Sequence, residues 1–301
     1  MNRRTRRFVL FSLSILVVVG LAVCYQVGGR LLLPNRHEVG EAPDDLPIED
    51  ITIKTSSGLE LSGWLIDRPN AQVGILLMHG SGQNRNIMVP RARFLHQAGY
   101  AVLLFDFRAH GESQGRFKTF GVGEHEDAKA ALKLLKERTG VQQTAIIGFS
   151  LGGAAAILGP TPLETDAFVL EAVFPSIEAA VANRVKLRLG SPFAWTQSLL
   201  SLQIPLRTGT PLKALRPIDQ ISRIQKPIFL IAGAEDKRTT ASESKALFEA
   251  ITGTNKQFWL IPGANHTNFH AAATQEYEQK VSQFLRAALA DTDTKALPTP
   301  Q

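Results

Sequence analysis

The sequence of 301 residues contains little cysteine and few aromatic side chains. Cys24 is the single cysteine, so the chain can form neither an intramolecular disulfide nor a thiolate metal site. Its stability must therefore come from a buried core, and the length is sufficient for one large α/β domain. The glycines of residues 148–153 are not followed by a lysine, which excludes the phosphate-binding loop that needs one.

A general excess of positive charge is also lacking, although the formal net charge is +6. Residues 1–30 contain five arginines and no acidic residue, which leaves 28 basic and 27 acidic residues in the rest of the chain. The bulk of the protein is therefore almost neutral, and this balance argues against nucleic acid as a partner.

The N-terminal segment, residues 1–30, predicts a membrane anchor. Residues 8–27 are almost entirely apolar, and about twenty helical residues span a bilayer core. Four arginines precede them, so the positive-inside rule predicts a single-pass protein whose remaining chain is extracytoplasmic, which means periplasmic in a Gram-negative cell. A cleaved signal peptide or a lipoprotein processed at Cys24 is the alternative, but no Ala-x-Ala site follows and bulky Val23 precedes the cysteine.

The rest of the chain shows the alternation of strands and helices that is typical of α/β proteins. Glycine and proline predict a linker at residues 31–49, and a hairpin then opens a domain at residues 50–290 with a mostly parallel sheet covered by helices on both faces. Residues 175–216 interrupt the alternation and predict a cap over the strand ends. Residues 291–301 are polar and predict a disordered tail.

The most informative motif is the G-x-S-x-G pattern of residues 148–152. It lies between a strand-like run and a small-residue helix start, which is the context of a nucleophile elbow. Such a turn exposes Ser150 and directs the N–H of Leu151 to the place where an oxyanion forms. The motif predicts that Ser150 is a catalytic nucleophile.

Two further polar residues follow buried strands, and the order serine, aspartate, histidine is the one used by hydrolases with a nucleophile elbow. Asp236 comes after the apolar run at 227–232, and His266 comes after the run at 258–261. We predict that His266 is the general base and that Asp236 orients it. His270 is the alternative base, and Glu171 at the end of an earlier strand is the alternative acid.

The pattern as a whole resembles the alpha/beta-hydrolase superfamily over about residues 50–290. It is most similar to the branch of serine-aminopeptidase-like and monoacylglycerol-lipase-like esterases, which includes membrane-anchored bacterial members. The resemblance rests on the loops at 79–82 and 106–113 together with Ser150, Asp236 and His266. It implies that the N–H of Ser81, rather than that of Gly80, joins Leu151 in the oxyanion hole.

Two departures from the family pattern stand beside the predicted acid and base. Thr239 and Thr240 occupy the region where relatives often have proline after the acid, and Asn265 precedes the histidine where glycine is usual. Asparagine tolerates the left-handed backbone that a glycine would adopt there.

Together these features predict a serine hydrolase that cleaves a small-molecule carboxylic ester through an acyl-enzyme, without a metal ion or organic cofactor. Thioester cleavage, peptide cleavage and acyl transfer use the same residues and remain alternatives. A catalytically idle, membrane-tethered binding module is an alternative from another class. The cap is expected to line an acyl pocket with its bulky apolar residues, Phe193, Trp195, Leu199 and Leu202.

Overall fold

A sheet of eight strands runs through the protein in a computed structural model that describes residues 3–290. The strands are β1 (Ile48–Lys54), β2 (Glu60–Ile66), β3 (Val73–Met78), β4 (Ala101–Phe105), β5 (Gln143–Phe149), β6 (Ala167–Glu171), β7 (Ile228–Gly233) and β8 (Lys256–Ile261). Their order in the sheet is β1-β2-β4-β3-β5-β6-β7-β8. The strands from β4 to β8 in this order are parallel, and β1 and β2 form an antiparallel hairpin that pairs with β4.

Ten α-helices accompany these strands in the described residues. They are α1 (Arg3–Leu32), α2 (Val89–Gln97), α3 (Val122–Thr139), α4 (Leu151–Ile157), α5 (Ile177–Leu189), α6 (Gln197–Ser201), α7 (Gln203–Thr208), α8 (Ala241–Glu249), α9 (Phe269–Ala272) and α10 (Thr274–Leu289). The α/β-hydrolase architecture predicted from the sequence is therefore confirmed, while the predicted tail at 291–301 lies outside the described residues.

The central strands are buried on both faces, which explains their uninterrupted apolar sequences. In β3, Leu76 and Met78 point into one hydrophobic cluster, and Ile75 and Leu77 point into another. Alternate side chains of a strand face opposite sides of the sheet. Helices α3 and α4 cover the first face, and α2 and α10 cover the second. The sheet is thus the middle layer of three.

The predicted linker, residues 31–49, lacks helix and strand between Leu32 and Ile48 but packs tightly against the domain. Val39 is 2% exposed, and the N–H of Asn35 donates to the Ala109 carbonyl at 2.8 Å. The expectation that its prolines and glycines keep this segment free of packed structure is wrong, because its backbone finds partners in the domain. The domain boundaries themselves stay predictions.

Helix α1 is apolar and long enough to cross a membrane, and its most apolar stretch makes no buried contact. Its last turns behave differently, since Gly28 and Leu32 are buried. Gly28 lies against Gln203 of α7 so closely that a Cβ atom on it would stand 2.3 Å from Cγ of that glutamine. The guanidinium of Arg207 lies 4.2 Å above the Tyr25 ring. The end of α1 is therefore docked on the cap.

Candidate active site

Ser150 occupies the sharp turn between β5 and α4. Its backbone angles are φ 50° and ψ −104°, a region that residues with side chains rarely adopt and that costs on the order of 1–3 kcal/mol. The neighbouring glycine makes the turn possible, because a Cβ on Gly152 would lie 2.4 Å from the Met78 carbonyl oxygen. The serine N–H donates to the Glu171 carbonyl at 2.7 Å. The sequence motif has the strand–turn–helix geometry of a nucleophile elbow.

Asp236 and His266 are brought together by the loops that follow β7 and β8. Nδ1 of His266 lies 2.7 Å from Oδ2 of Asp236, and both side chains are buried. The other carboxylate oxygen, Oδ1, accepts the backbone N–H groups of Arg238 at 2.7 Å and Thr239 at 2.9 Å. These two bonds fix the carboxylate plane, so that Oδ2 faces the imidazole.

Ser150 and this pair lie at the same edge of the sheet. The ring of Phe149, the residue before the serine, stands 5.4 Å from the His266 ring between centroids. Leu187 and Arg238 border both the cleft at Ser150 and the adjoining cleft at His266. The three residues predicted as a triad therefore converge on one region.

The loop after β3 favours Ser81 over Gly80 as an oxyanion donor. The N–H of Gly80 already donates to the side-chain oxygen of Gln83 at 3.2 Å. Ser81 and Leu151 both line the cleft beside Ser150. Within residues 3–290, the backbone N–H groups of these two residues have no hydrogen-bond acceptor.

The alternative acid and base have other partners. Glu171 accepts from the Arg91 guanidinium at 3.0 and 2.5 Å and also from the Tyr277 hydroxyl, all in the buried layer beneath α2 and α10. His270 lies 3.0 Å from a carboxylate oxygen of Glu278. Neither of the two alternatives is joined to His266 or Asp236, so the geometry favours the residues chosen from the motif order.

His79 joins the loop after β3 to the loop after β4. Nδ1 of His79 lies 2.8 Å from the Gly80 carbonyl, and Nε2 accepts the Phe107 N–H at 3.0 Å. This pair of bonds requires a neutral ring protonated at Nδ1. Burial lowers the pKa of His79, which favours the same neutral form. Asp106 accepts from the Arg85 side chain and fixes the following loop.

Both departures from the family pattern have local explanations. Thr240 caps α8, since its hydroxyl accepts the Glu243 N–H and the Glu243 carboxylate accepts the Thr240 N–H. Proline at 239 would remove a donor to Asp236. Asn265 is not in the left-handed region, so its tolerance for that conformation is not used here. Its side-chain oxygen instead accepts the Thr267 N–H at 3.0 Å.

A cleft of about 670 Å³ opens in front of Ser150. One wall comes from α5 of the cap, through Ile177, Val181 and other residues, so the cap does overlie the strand ends. The four residues expected to form an acyl pocket are absent from its lining. Trp195 is 67% exposed and Phe193 is 49% exposed, because their short 3₁₀ turn lies on the outer surface of the cap. That part of the prediction is wrong.

The lining contains two features that sequence reasoning missed. The first is the end of α1, which contributes Val27, Arg30 and Leu31. The second is a set of five cationic side chains, Arg30, Lys118, Arg184, Arg188 and Arg238. The spacing of Arg184 and Arg188 is a signal that could have been read, since residues four apart share one face of a helix. In residues 3–290, no group of three or more histidine, cysteine, aspartate or glutamate side chains is arranged to hold a metal ion.

Three known proteins are similar to this chain over most of its length. The chain is similar to the esterase Pf2001 of Pyrococcus furiosus, with 27% identity, a TM-score of 0.71, and coverage of 85% of this chain and 98% of the esterase. It is 28% identical to the uncharacterised protein Rv2307c of Mycobacterium tuberculosis over 273 residues, which are 88% of this chain and 90% of that protein. It is 24% identical to the polyketide transferase af380 of Aspergillus fumigatus over 287 residues, 80% of this chain and 98% of the transferase.

The sequence model of the alpha/beta hydrolase family matches residues 75–279, from β3 into α10. This range includes the elbow, the loops after β7 and β8, and the cap. The family match and the structural similarity to esterases support a hydrolase. Since the match covers more than half of the sequence, the chain belongs to the alpha/beta hydrolase family.

Proposed function

We propose that this protein is a serine hydrolase that cleaves a carboxylic ester through an acyl-enzyme. The observation that carries the proposal is the elbow conformation of Ser150 at the same sheet edge as the hydrogen-bonded pair Asp236 and His266. Ser150 Oγ attacks the ester carbonyl carbon while His266 takes its proton. The alcohol leaves with that proton, and a water molecule activated by the same histidine then releases the acid.

The contacts of His266 support its role as the base. Asp236 accepts the Nδ1 proton, which leaves Nε2 of the neutral ring as the acceptor for the serine proton. The negative charge of Asp236 also stabilises the imidazolium that forms during attack. Serine needs such a base because its hydroxyl is a weak nucleophile at neutral pH.

The free N–H groups of Ser81 and Leu151 support an oxyanion hole beside the serine. Donors placed in advance stabilise the charge that develops on the carbonyl oxygen, and loss of one donor typically costs about 3–4 kcal/mol. Carboxylic esters are favoured as substrates by the similarity to the Pyrococcus esterase, which is 27% identical.

Acyl transfer is the second candidate, and the similarity to a polyketide transferase favours testing it. A transferase would use the same acyl-enzyme but pass the acyl group to an alcohol in place of water. Adding a primary alcohol to the assay separates the two reactions. A transferase releases the new ester faster than the free acid, whereas a hydrolase keeps releasing acid.

The location is part of the proposal. Helix α1 has the length and apolar surface of a membrane span, and Arg3, Arg4, Arg6 and Arg7 lie at its start. A signal sequence has the same two properties. We propose that this helix is an uncleaved anchor, because its last turns pack against the cap. The arginines at its start favour a hydrolase domain on the extracytoplasmic side under the positive-inside rule.

The decisive experiment is labelling of the full chain in detergent with a fluorophosphonate probe, which reacts with activated serines. The wild-type protein should be labelled and should hydrolyse 4-nitrophenyl esters over a range of acyl lengths. Ser150→Ala should lose both properties and keep the thermal unfolding midpoint. Full activity in the Ser150→Ala protein would refute the assigned nucleophile, and an unlabelled wild type would favour the idle binding module.

A further inference from the structure

The cleft at Ser150 has an unusual charge. Its five cationic side chains come from four separate parts of the chain, with Arg30 on α1, Lys118 after β4, Arg184 and Arg188 on α5, and Arg238 beside the predicted acid. Among the residues that the structure describes, no acidic side chain lines this cleft. A cleft with charges of one sign and apolar walls concentrates ions of the opposite sign.

Of these cations, Lys118 is buried and Arg184 is half-buried, whereas Arg30, Arg188 and Arg238 are exposed. The first two differ from the buried cations elsewhere in the protein. Arg85, Arg91 and Arg108 each form an ion pair with a buried carboxylate, at 2.5 to 2.7 Å. Within residues 3–290, none of the five cleft cations has an ion-pair partner. Lys118 is 6% exposed, yet its ammonium donates to the neutral side-chain oxygen of Asn35. Within residues 3–290, Lys118 and Arg184 thus lie in this cleft, buried and half-buried, without a carboxylate partner.

Arg184 carries the clearest signs of this missing charge. It is half-buried, and within the described part of the chain its guanidinium has one acceptor, the Ala180 carbonyl at 3.0 Å. Burial, reinforced by the positive charges of Arg238 and Arg188, lowers the pKa of Arg184 to about 10 despite the attraction of Asp236. The guanidinium is still charged at neutral pH, and an anion placed beside it would relieve both effects.

The two arginines on α5 cost stability, and no acidic side chain among residues 3–290 forms an ion pair that offsets this cost. Arg184 and Arg188 are four residues apart, and like charges at this spacing destabilise a helix. Lys186 on the same helix is exposed and lies outside the cleft, so water solvates its charge. Water solvates the charge of the half-buried Arg184 less completely.

We propose that the ester hydrolysed at Ser150 carries an anionic group, a carboxylate or a phosphate, which binds among Arg184, Arg188 and Arg238. The apolar wall formed by Val27, Leu31 and Val181 then contacts the hydrocarbon part of the same molecule. The substrate class is therefore an amphiphilic anionic ester. This inference rests on the proposed hydrolase function and narrows its substrate.

The first test compares two esters of equal carbon number on the full chain in detergent. 4-Nitrophenyl hydrogen adipate has a terminal carboxylate, and 4-nitrophenyl hexanoate ends in a methyl group. The wild type should prefer the adipate ester in kcat/KM. Arg184→Gln should reduce the adipate-to-hexanoate ratio of kcat/KM by about 10- to 100-fold, the range of a hydrogen bond to a charged group.

Two further variants control this comparison. Arg188→Gln removes a more exposed member of the cluster and should lower the same ratio. It replaces Arg184→Gln as the test if that variant does not fold. Lys186→Gln removes equal charge from the same helix outside the cleft and should keep the wild-type ratio. Equal ratios in the wild type, Arg184→Gln and Arg188→Gln would overturn the proposal while leaving the esterase function standing.

A binding measurement separates the two levels of inference, because it needs no turnover. Hexylphosphonate, a soluble alkyl dianion, is titrated calorimetrically into Ser150→Ala, with hexanol as the neutral control. Hexylphosphonate should bind more tightly than hexanol, and adding Arg184→Gln should raise its Kd by about 10- to 100-fold. Binding that depends on Arg184, together with a wild-type protein that hydrolyses none of the esters, would support the anion site and refute the hydrolase. Equal binding of both compounds would refute the anion site.

The anionic group can belong to a lipid headgroup or to a water-soluble ester, and a vesicle assay distinguishes these sources. Mixed vesicles of phosphatidylglycerol and phosphatidylcholine are incubated with the membrane-inserted protein, and fatty acid release from each lipid is measured. Faster release from phosphatidylglycerol that falls in Arg184→Gln indicates a lipid source. Hydrolysis of the adipate ester without lipid release indicates a soluble source. Equal release from both lipids, with equal rates on both soluble esters, contradicts the proposal.

Discussion

Replacing Asp236 by asparagine exchanges one carboxylate oxygen for an amide nitrogen and keeps the shape of the side chain. The structure determines how the amide turns. The backbone N–H groups of Arg238 and Thr239 need an acceptor, so the asparagine oxygen takes the place of Oδ1. Its NH₂ group then faces Nδ1 of His266, which must become an acceptor.

The proton of the neutral histidine consequently moves to Nε2, and the ring can no longer accept the proton of Ser150. The same change of tautomer in the serine protease template lowers kcat about 10⁴-fold. We expect a similar loss here, equivalent to about 5.4 kcal/mol in the activation free energy. Because the amide keeps a hydrogen bond to Nδ1 and loses only the carboxylate charge, the free energy of unfolding should fall by only about 1 kcal/mol.

Glu171→Gln is the matched comparison, since it makes the same chemical change at the rejected acid. It leaves the buried Arg91 guanidinium without its carboxylate, which typically costs about 3–5 kcal/mol of stability. Turnover on 4-nitrophenyl butyrate and thermal unfolding are measured for both variants. The acid is wrongly assigned if Glu171→Gln abolishes kcat in a fully folded protein while Asp236→Asn retains most of it.

Four further predictions concern the surroundings of the site. Gly152→Ala should lower kcat about 10²-fold, because its Cβ would displace the elbow from the Met78 carbonyl; unchanged kinetics would contradict that close approach. Gly28→Leu should destabilise the protein by about 1–3 kcal/mol in thermal unfolding, whereas Gly20→Leu, with no neighbour within 4 Å, should be silent. Trp195→Ala should leave the preferred acyl length unchanged, and a shift would show that this exposed ring reaches the cleft. A C-terminal alkaline phosphatase fusion should be active in intact cells, and an inactive fusion would reverse the proposed topology.

The sequence predicted those parts of the structure that local patterns determine. Uninterrupted apolar runs identified the buried strands, and the glycines around Ser150 identified the turn. The contact between Asp236 and His266 could be predicted because parallel strands bring their carboxyl ends to one edge, so residues distant in sequence become neighbours. The order of motifs along the chain contains that information.

The composition of the cleft was beyond such reasoning, because it depends on how separate segments pack. Trp195 has the apolarity of a pocket residue, yet the 3₁₀ turn that carries it faces outward. Arg30 belongs to a segment whose composition indicates only a membrane span or a signal sequence. Its place beside Ser150 follows from the docking of α1 on α7, and no periodicity in either helix reveals that contact.

If α1 is the membrane span proposed above, its docking on the cap would also set the height of the cleft above the membrane. With α1 spanning the bilayer as proposed, its apolar stretch ends at Val27, and that residue already lines the cleft. At a rise of about 1.5 Å per residue, Arg30 stands only about 5 Å further along the helix axis. In that arrangement the mouth of the cleft would open at the level of the lipid headgroups. An amphiphile diffusing in the plane of the leaflet would reach Ser150 without crossing water, so turnover would follow its mole fraction in the membrane rather than its bulk concentration.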